Sequence, residues 1–121
     1  MESFDRFAKP PEILRRQRVR FLGEQDGAPE RALKAIFAAA FRRTPAVRSA
    51  YLARVAYGEE PGESVALCVR STAPEDRALV GRVGAVFAER FAPAEHLDVI
   101  FLSEAQEREV AAACPAFYRA D

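Results

Sequence analysis

A chain of 121 residues is long enough for one hydrophobic core and short for two, since single domains commonly run to about 100–150 residues; residues 1–121 read as one domain. Half the residues are hydrophobic and 30% are charged, which excludes wholesale disorder. Eighteen basic residues balance eighteen acidic ones, so no global field draws the chain to nucleic acid or to a membrane surface, and no apolar run approaches the roughly 20 residues of a spanning helix.

The chain opens on MESFDRFAKPPE, too polar and acidic for a secretory signal. Residues 1–12 read as a loose arm, because the prolines of KPPE fix φ and remove backbone donors. RRQRVRFL then alternates into a first strand, with Val19 and Phe21 on one face and Arg18 and Arg20 on the other. GEQDGAPE supplies a turn, and Pro29 suits the first turn of a helix. The spacing predicts that helix over about Pro29 to Arg43, with Leu33, Ile36, Phe37, Ala40 and Phe41 on a single apolar stripe. Arg42 and Arg43 complement the dipole of its last turn, and Thr44-Pro45 ends it.

A hairpin follows. Tyr51, Ala53, Val55 and Tyr57 alternate onto one face and Leu52, Arg54 and Ala56 onto the other; GEEPGE makes the turn. On the returning strand Val65, Leu67 and Val69 share a face, opposite Ala66, Cys68 and Arg70. STAPED opens a second helix, in which Thr72 and Glu75 match a T-x-x-E capping box. Leu79, Val80, Val83, Val86 and Phe87 form its buried stripe, and Gly81 and Gly84 leave room for a close neighbour. HLDVIFL is the last strand, with Leu97, Val99 and Phe101 set against Asp98, Ile100 and Leu102. Ser103 and Gln106 form another capping box and open a short third helix before CPAFYRAD.

The order is β-α-β-β-α-β-α. Its first six elements match the split βαβ arrangement of ferredoxin-like domains. That fold would be α+β: an antiparallel four-stranded sheet with its first and third strands central and two helices on one face. The short C-terminal helix and the aromatic tail would pack on an edge or across the open face.

Catalytic machinery is not expected. His96 is the only histidine, so a Ser-His-Asp or Cys-His arrangement rests on one residue placed just before a strand, a common position for a surface histidine. Cys68 lies mid-strand, away from any helix N-terminus that would activate it. With Cys114 it reads as one of two reduced thiols of a cytoplasmic protein, in separate elements and without metal-type spacing. No metal or cofactor is expected: two Cys and one His make neither an iron–sulfur cluster nor a closed zinc site, and phosphate-binding glycine motifs are missing. RNA-binding sheets of the ferredoxin-like class stack bases on aromatics of the central strands. The open face expected here offers Arg18, Arg20, Ala66, Cys68 and Arg70 instead.

That face is the candidate site. With Val19, Phe21, Tyr51, Val55, Leu67, Val69, Val99 and Phe101 assigned to the core beneath two helices, the opposite side gathers Arg18, Arg20, Arg54, Arg70 and Asp98. Leu52, Cys68, Ile100 and Leu102 lie among them. Mixed arginine and aliphatic surface suits a protein interface, and guanidinium forks also match carboxylate and phosphate. The structural alternative is that the C-terminal helix and PAFYR cover this face.

PPEILRRQRVRFL, ALKAIFAAAFRRTPAVRSAYLARV, GRVGAVFAERFAPAEHLDVIFL and CPAFYRA together resemble the C-terminal domain of the SseB family, bacterial proteins named for enhanced serine sensitivity. The similarity runs from about Pro10 to Arg119, and its more specific pieces are Pro45 to Tyr51 and the closing Pro115, Phe117 and Tyr118. It implies a bacterial cytoplasmic protein and brings no catalytic motif, so no functional residue carries over. Family members usually carry a separate N-terminal domain, and too few residues precede Pro10 to hold one. The expectation is therefore a non-enzymatic domain that binds a protein partner or self-associates, through the open sheet face or an edge strand. The alternative is a regulatory binder of a small anionic metabolite such as an amino acid, its carboxylate clamped by those arginines.

Overall fold

The computed structural model describes residues 18–73, 76–91 and 96–120. The N-terminal arm and Glu75 of the expected capping box lie outside them. Strand β1 (Val19–Glu24) leads into helix α1 (Ala28–Arg42), then strands β2 (Val47–Tyr57) and β3 (Ser64–Ser71) form the hairpin. Helix α2 (Arg77–Arg90), strand β4 (Asp98–Phe101), helix α3 (Glu104–Ala113) and a two-residue strand β5 (Tyr118–Arg119) complete the order.

Helix α1 forms where the stripe predicts. Leu33, Phe37 and Phe41, one turn apart, are each at most 1% exposed. On its first turns Lys34 is buried too, because its ammonium donates to Glu24 at 2.6 Å and to Asp26 at 3.1 Å. That contact fastens the helix to the end of β1. Burial opposes the Lys34 charge, but the bonds to Glu24 and Asp26 outweigh it and raise the pKa. Helix α3 carries the predicted box in full: Ser103 Oγ accepts from the Gln106 amide at 3.1 Å, and Gln106 Oε1 accepts from the Ser103 amide at 3.0 Å. Helix α2 starts later than expected. Its N-cap is Asp76, whose carboxylate accepts from the Leu79 amide at 3.1 Å, while Thr72 spends its own amide on the Ala46 carbonyl. Gly81 and Gly84 are exposed, and a methyl group added at either would meet nothing within 4 Å. They admit no neighbour.

The sheet is mixed, with order β1-β2-β3-β4. β1 pairs antiparallel with β2, β2 antiparallel with β3, and β3 parallel with β4. This corrects the antiparallel, ferredoxin-like expectation: the third strand, β3, is central as expected, but its central neighbour is β2, and the first strand lies at the edge. The physical reason is visible in the burial. Strands covered on both faces read as nearly continuous apolar runs, and β2 and β3 are those strands; between Ser49 and Tyr57 only Arg54 escapes full burial. The β3–α2–β4 segment is a helical crossover, the kind of connection that parallel neighbours require. β5 pairs with β2 through Ser49↔Arg119 and Ala50↔Tyr118, on the edge of β2 that β1 leaves vacant beyond Ala53.

Each face of the sheet has its own core. On one side α1 and α2 pack Leu33, Phe37, Phe41, Leu79 and Val83 against Ala50, Leu52, Leu67 and Val69. Phe117 and Tyr118 of the tail join this layer, their rings 6.4 and 5.8 Å from Phe41. On the other side Val110 of α3, with Leu102 and Cys114, closes over Tyr51, Val55, Ala66 and Cys68. The C-terminal helix thus covers Cys68, Ile100 and Leu102 of the face expected to be open, while Leu52 of that set lies beneath α1 and α2, where the aromatic tail also packs.

Tyr51 and Val55 belong to the α3 layer, and so do Val19 and Phe21. The sequence pattern alone places them beneath α1 and α2, and the structure corrects this. The pairings Tyr51↔Cys68, Phe21↔Val55 and Leu52↔Leu67 set the true sides. Because β2 is apolar on both faces, its alternation cannot say which face meets which helix.

Candidate functional site

The five residues expected to share one surface are placed apart. Arg18 lies just before β1, where its carbonyl accepts from the Gly58 amide at 2.7 Å near the hairpin turn. Arg20 pairs opposite Ala56, and Arg54 opposite Val65 and Gly23; both alternate onto the side that carries α1 and α2. The Arg54 guanidinium lies over Gly23, where an added methyl group would come within 2.7 Å of it, and it pairs with Glu63 at 3.3 Å. Asp98 lies across the sheet on β4, opposite Ala66. It accepts from the Tyr57 hydroxyl at 2.6 Å and meets His96 Nε2 at 2.5 Å. Burial, then the Asp98 carboxylate, pushes the Tyr57 hydroxyl far up in pKa.

Arg70 alone of the five lines a cleft rich in polar groups. The cleft has a volume of about 420 Å³ and sits where β2 begins and β3 ends. Arg48, Arg70 and Arg119 contribute three guanidinium groups, and Ser71 and Thr72 contribute hydroxyls. The elements place them by register. A bulge between Val47 and Ser49 brings Arg48 to the rim, Ser49 stands opposite Arg70 on β3, and the same Ser49 stands opposite Arg119 on β5.

Glu107 of α3 is the acidic residue of this lining among the described residues. Its Oε2 accepts from the Ser49 hydroxyl at 2.5 Å and from the Tyr51 hydroxyl at 3.1 Å, and its Oε1 lies 3.6 Å from Arg70 Nε. The Ser49 hydrogen bond holds the Glu107 carboxyl below its ordinary range against the opposing effect of burial, with help from Tyr51, Arg70 and Arg119. Glu107 is therefore ionised at neutral pH, with both oxygens engaged by groups of the chain itself. It orients Arg70, whose Nη1 also donates to the Leu102 carbonyl at 3.5 Å. Arg48 donates to the Pro45 carbonyl at 3.5 Å. Arg119 is exposed, on a strand held by the Phe117 amide to Ala50 O at 3.0 Å and the Ala120 amide to Arg48 O at 2.9 Å.

Arg48, Glu107 and Arg119 are absent from the sequence-derived set. Two signals were present: Arg48 and Ser49, adjacent polar residues at the start of a largely apolar strand, and Arg119 beside the closing aromatic pair. Neither has force without the β2–β5 pairing. Cys68 and Cys114 are both free thiols in the α3 layer. Burial pushes the Cys114 thiol up to about 11, and burial also pushes Cys68 up. Among the described residues no group of three or more His, Cys, Asp or Glu side chains could hold a metal ion, and no helix is long and apolar enough to cross a membrane.

Fold and site together define a small α+β domain whose mixed sheet is covered on both faces and whose arginine-lined cleft lies at one end. The chain belongs to the SseB protein C-terminal domain family, which it matches over residues 18–119. No curated protein and no solved structure matches it.

Proposed function

We propose that this is a non-enzymatic binding domain that recognises anionic groups, carboxylate or phosphate, in the cleft of Arg48, Arg70 and Arg119. The observation that carries the reading is the convergence of three guanidinium side chains from β2, β3 and β5 on one lining where, among the described residues, the one carboxylate is already engaged by Ser49, Tyr51 and Arg70. A guanidinium offers paired donors at a spacing that matches the two oxygens of a carboxylate or phosphate. Arg70 is held in place by Glu107 and Leu102 O, so little side-chain entropy is lost when a ligand arrives. The residues expected to form one Arg-and-aliphatic sheet face divide between the two sides of the sheet, Leu52 beneath α1 and α2 and Cys68, Ile100 and Leu102 beneath α3, which favours this cleft.

The test is calorimetric titration of glutarate and of inorganic phosphate into the intact chain at low salt. Saturable one-to-one binding of at least one of them is expected. Arg119→Ala should weaken it about tenfold, the scale of one charge-assisted contact worth about 1.4 kcal/mol. The melting temperature should stay unchanged, since Arg119 is exposed. No binding of either anion, or equal binding by Arg119→Ala, would overturn the proposal.

A further inference from the structure

The cleft does not end at Arg119. A second hollow of about 550 Å³ lies beside it and shares Arg119 and Ala120 as a common wall. Its remaining lining is Arg42 from the last turn of α1, Pro45, Phe117 and Tyr118. Together the two adjoining hollows give a track past β5, with cations from Arg48, Arg70, Arg119 and Arg42 and an apolar stretch from Pro45 and Phe117. From this track, and resting on the anion-binding reading above, we infer that the ligand is an extended acidic peptide segment of a partner protein, with an apolar residue among its carboxylates.

Three observations favour a peptide over a small molecule. Neither hollow is an enclosed cavity, and both are partly open to solvent, whereas small-molecule sites enclose their ligand and bury most of its surface. A chain lying across the surface needs no enclosure. Among the described residues the charge along the track is cationic apart from Glu107, which Ser49, Tyr51 and Arg70 hold, so complementarity calls for repeated carboxylates. Strand β5 also presents backbone to such a chain. The Ala120 amide faces β2, bonded to Arg48 O at 2.9 Å. Residues of an antiparallel strand alternate in the direction of their amide and carbonyl, so those of Arg119 face away from β2. That is the geometry that strand addition uses: main-chain bonds supply affinity and alternate side chains supply specificity. Phe117 is fixed for its part by packing against Phe41, and Tyr118 by its hydroxyl, which donates to Phe41 O at 3.3 Å. These contacts hold the apolar stretch in place without a partner.

The experiment uses a fluorescein-labelled, C-terminally amidated hexapeptide of sequence Glu-Leu-Glu-Glu-Leu-Glu, about 20 Å long when extended. Its binding to the full chain is read by fluorescence anisotropy, next to calorimetry with glutarate and inorganic phosphate. The peptide should bind at least about tenfold more tightly than glutarate, as expected when a second set of contacts is added. Its lysine-for-glutamate counterpart should not bind, and rising salt should weaken the complex. Arg42→Ala removes an exposed cation of the second hollow only. It should weaken the peptide about fivefold and leave glutarate unchanged, whereas Arg119→Ala should weaken both. A peptide no tighter than glutarate, or one indifferent to Arg42→Ala, would overturn the inference while leaving the anion cleft standing. Phosphate binding more tightly than the peptide would overturn it also. Failure of all three ligands on the wild-type chain would remove the anion-binding reading itself.

Discussion

Replacing Glu107 with alanine tests the site and the packing of α3 at once. Ser49 is 2% exposed and Tyr51 fully buried, and both hydroxyls donate to the same Glu107 oxygen. Hydrogen bonds to a charged acceptor contribute roughly 1.5–3 kcal/mol each, and a buried donor left without an acceptor costs about 1–3 kcal/mol. The two donors share one oxygen, so their contributions do not simply add. Glu107→Ala should therefore destabilise the fold by about 3 kcal/mol. Glu107→Gln keeps a neutral acceptor and should cost about 1 kcal/mol. Urea unfolding at pH 7 measures both, and the alanine variant should melt about 10 °C lower, given the scaling for a domain of this size. The pH dependence has a defined sign. The folded pKa of Glu107 is depressed, so its stabilising effect is complete above the unfolded carboxyl value of about 4.3. It is lost as pH falls through the folded value. The gap between wild type and Glu107→Gln should therefore close in acid. A double-mutant cycle with Tyr51→Phe should return a coupling of about 1 kcal/mol. An alanine variant within about 0.5 kcal/mol of wild type at pH 7, the size of an ordinary surface change, would show that the Ser49–Tyr51–Glu107 network carries no stability.

Gly81→Ala and Gly84→Ala should each raise stability by about 0.5–1 kcal/mol, because both glycines are exposed in the interior of α2 with open space where the methyl group goes. A lower melting temperature for either would contradict that geometry. Val110→Ala should cost about 2 kcal/mol in urea unfolding, since its side chain is fully buried over the sheet. It should also speed labelling of Cys68 and Cys114 by a thiol reagent, which should scarcely touch these buried thiols in the native wild-type chain. Lys34→Met should cost about 1 kcal/mol, as expected for a mostly buried ammonium removed from two partly exposed carboxylates. Because the Lys34 pKa is raised, that difference should hold up to about pH 10.4 and fade as pH rises through the folded value. A difference that vanishes already near pH 8 would place the ammonium outside its Glu24–Asp26 pocket.

Most elements were legible because their signals are local. The α1 stripe, the GEEPGE turn and the Ser103–Gln106 box each depend on residues within a few positions; the turn and the box form as read, and the stripe holds at Leu33, Phe37 and Phe41, with Ala40 exposed and Ala38 buried instead. The arrangement of strands depends on non-local pairing, where local signals are silent. In β2, Tyr51 and Val55 compete with Ala50 and Leu52 for the larger core, and apolar alternation ranks neither face. Only the pairing with β3 and the position of α3 decide. The candidate site failed to appear for the same reason: Arg48, Arg70, Glu107 and Arg119 come from four different elements, and it is β5 that brings the last of them beside Ser49. The expected set of Arg18, Arg20, Arg54, Arg70 and Asp98 followed from a single open face, and the structure has none.

That last point bears on where any ligand meets this domain. Helices α1 and α2 occupy one face of the sheet and α3 the other, which leaves recognition to strand edges and to the ends of the sheet. An uncovered strand edge invites pairing with other chains, and β2, the longest strand, would offer such an edge beyond the end of β1. Strand β5 closes it at Ser49 and Ala50, and the two-residue length of β5 limits the new edge it creates. The segment that protects β2 also carries Arg119 into the cleft and Phe117 and Tyr118 into the core of α1. Edge protection and ligand recognition thus share a few residues at the end of the chain. A variant that unseats this tail, such as Phe117→Ala, should lose anion affinity together with stability, whereas Arg119→Ala should lose affinity alone. Isothermal titration of glutarate beside thermal unfolding separates the two. Equal affinity in a folded Phe117→Ala protein would show that the cleft forms without β5, and would detach Arg119 from the site.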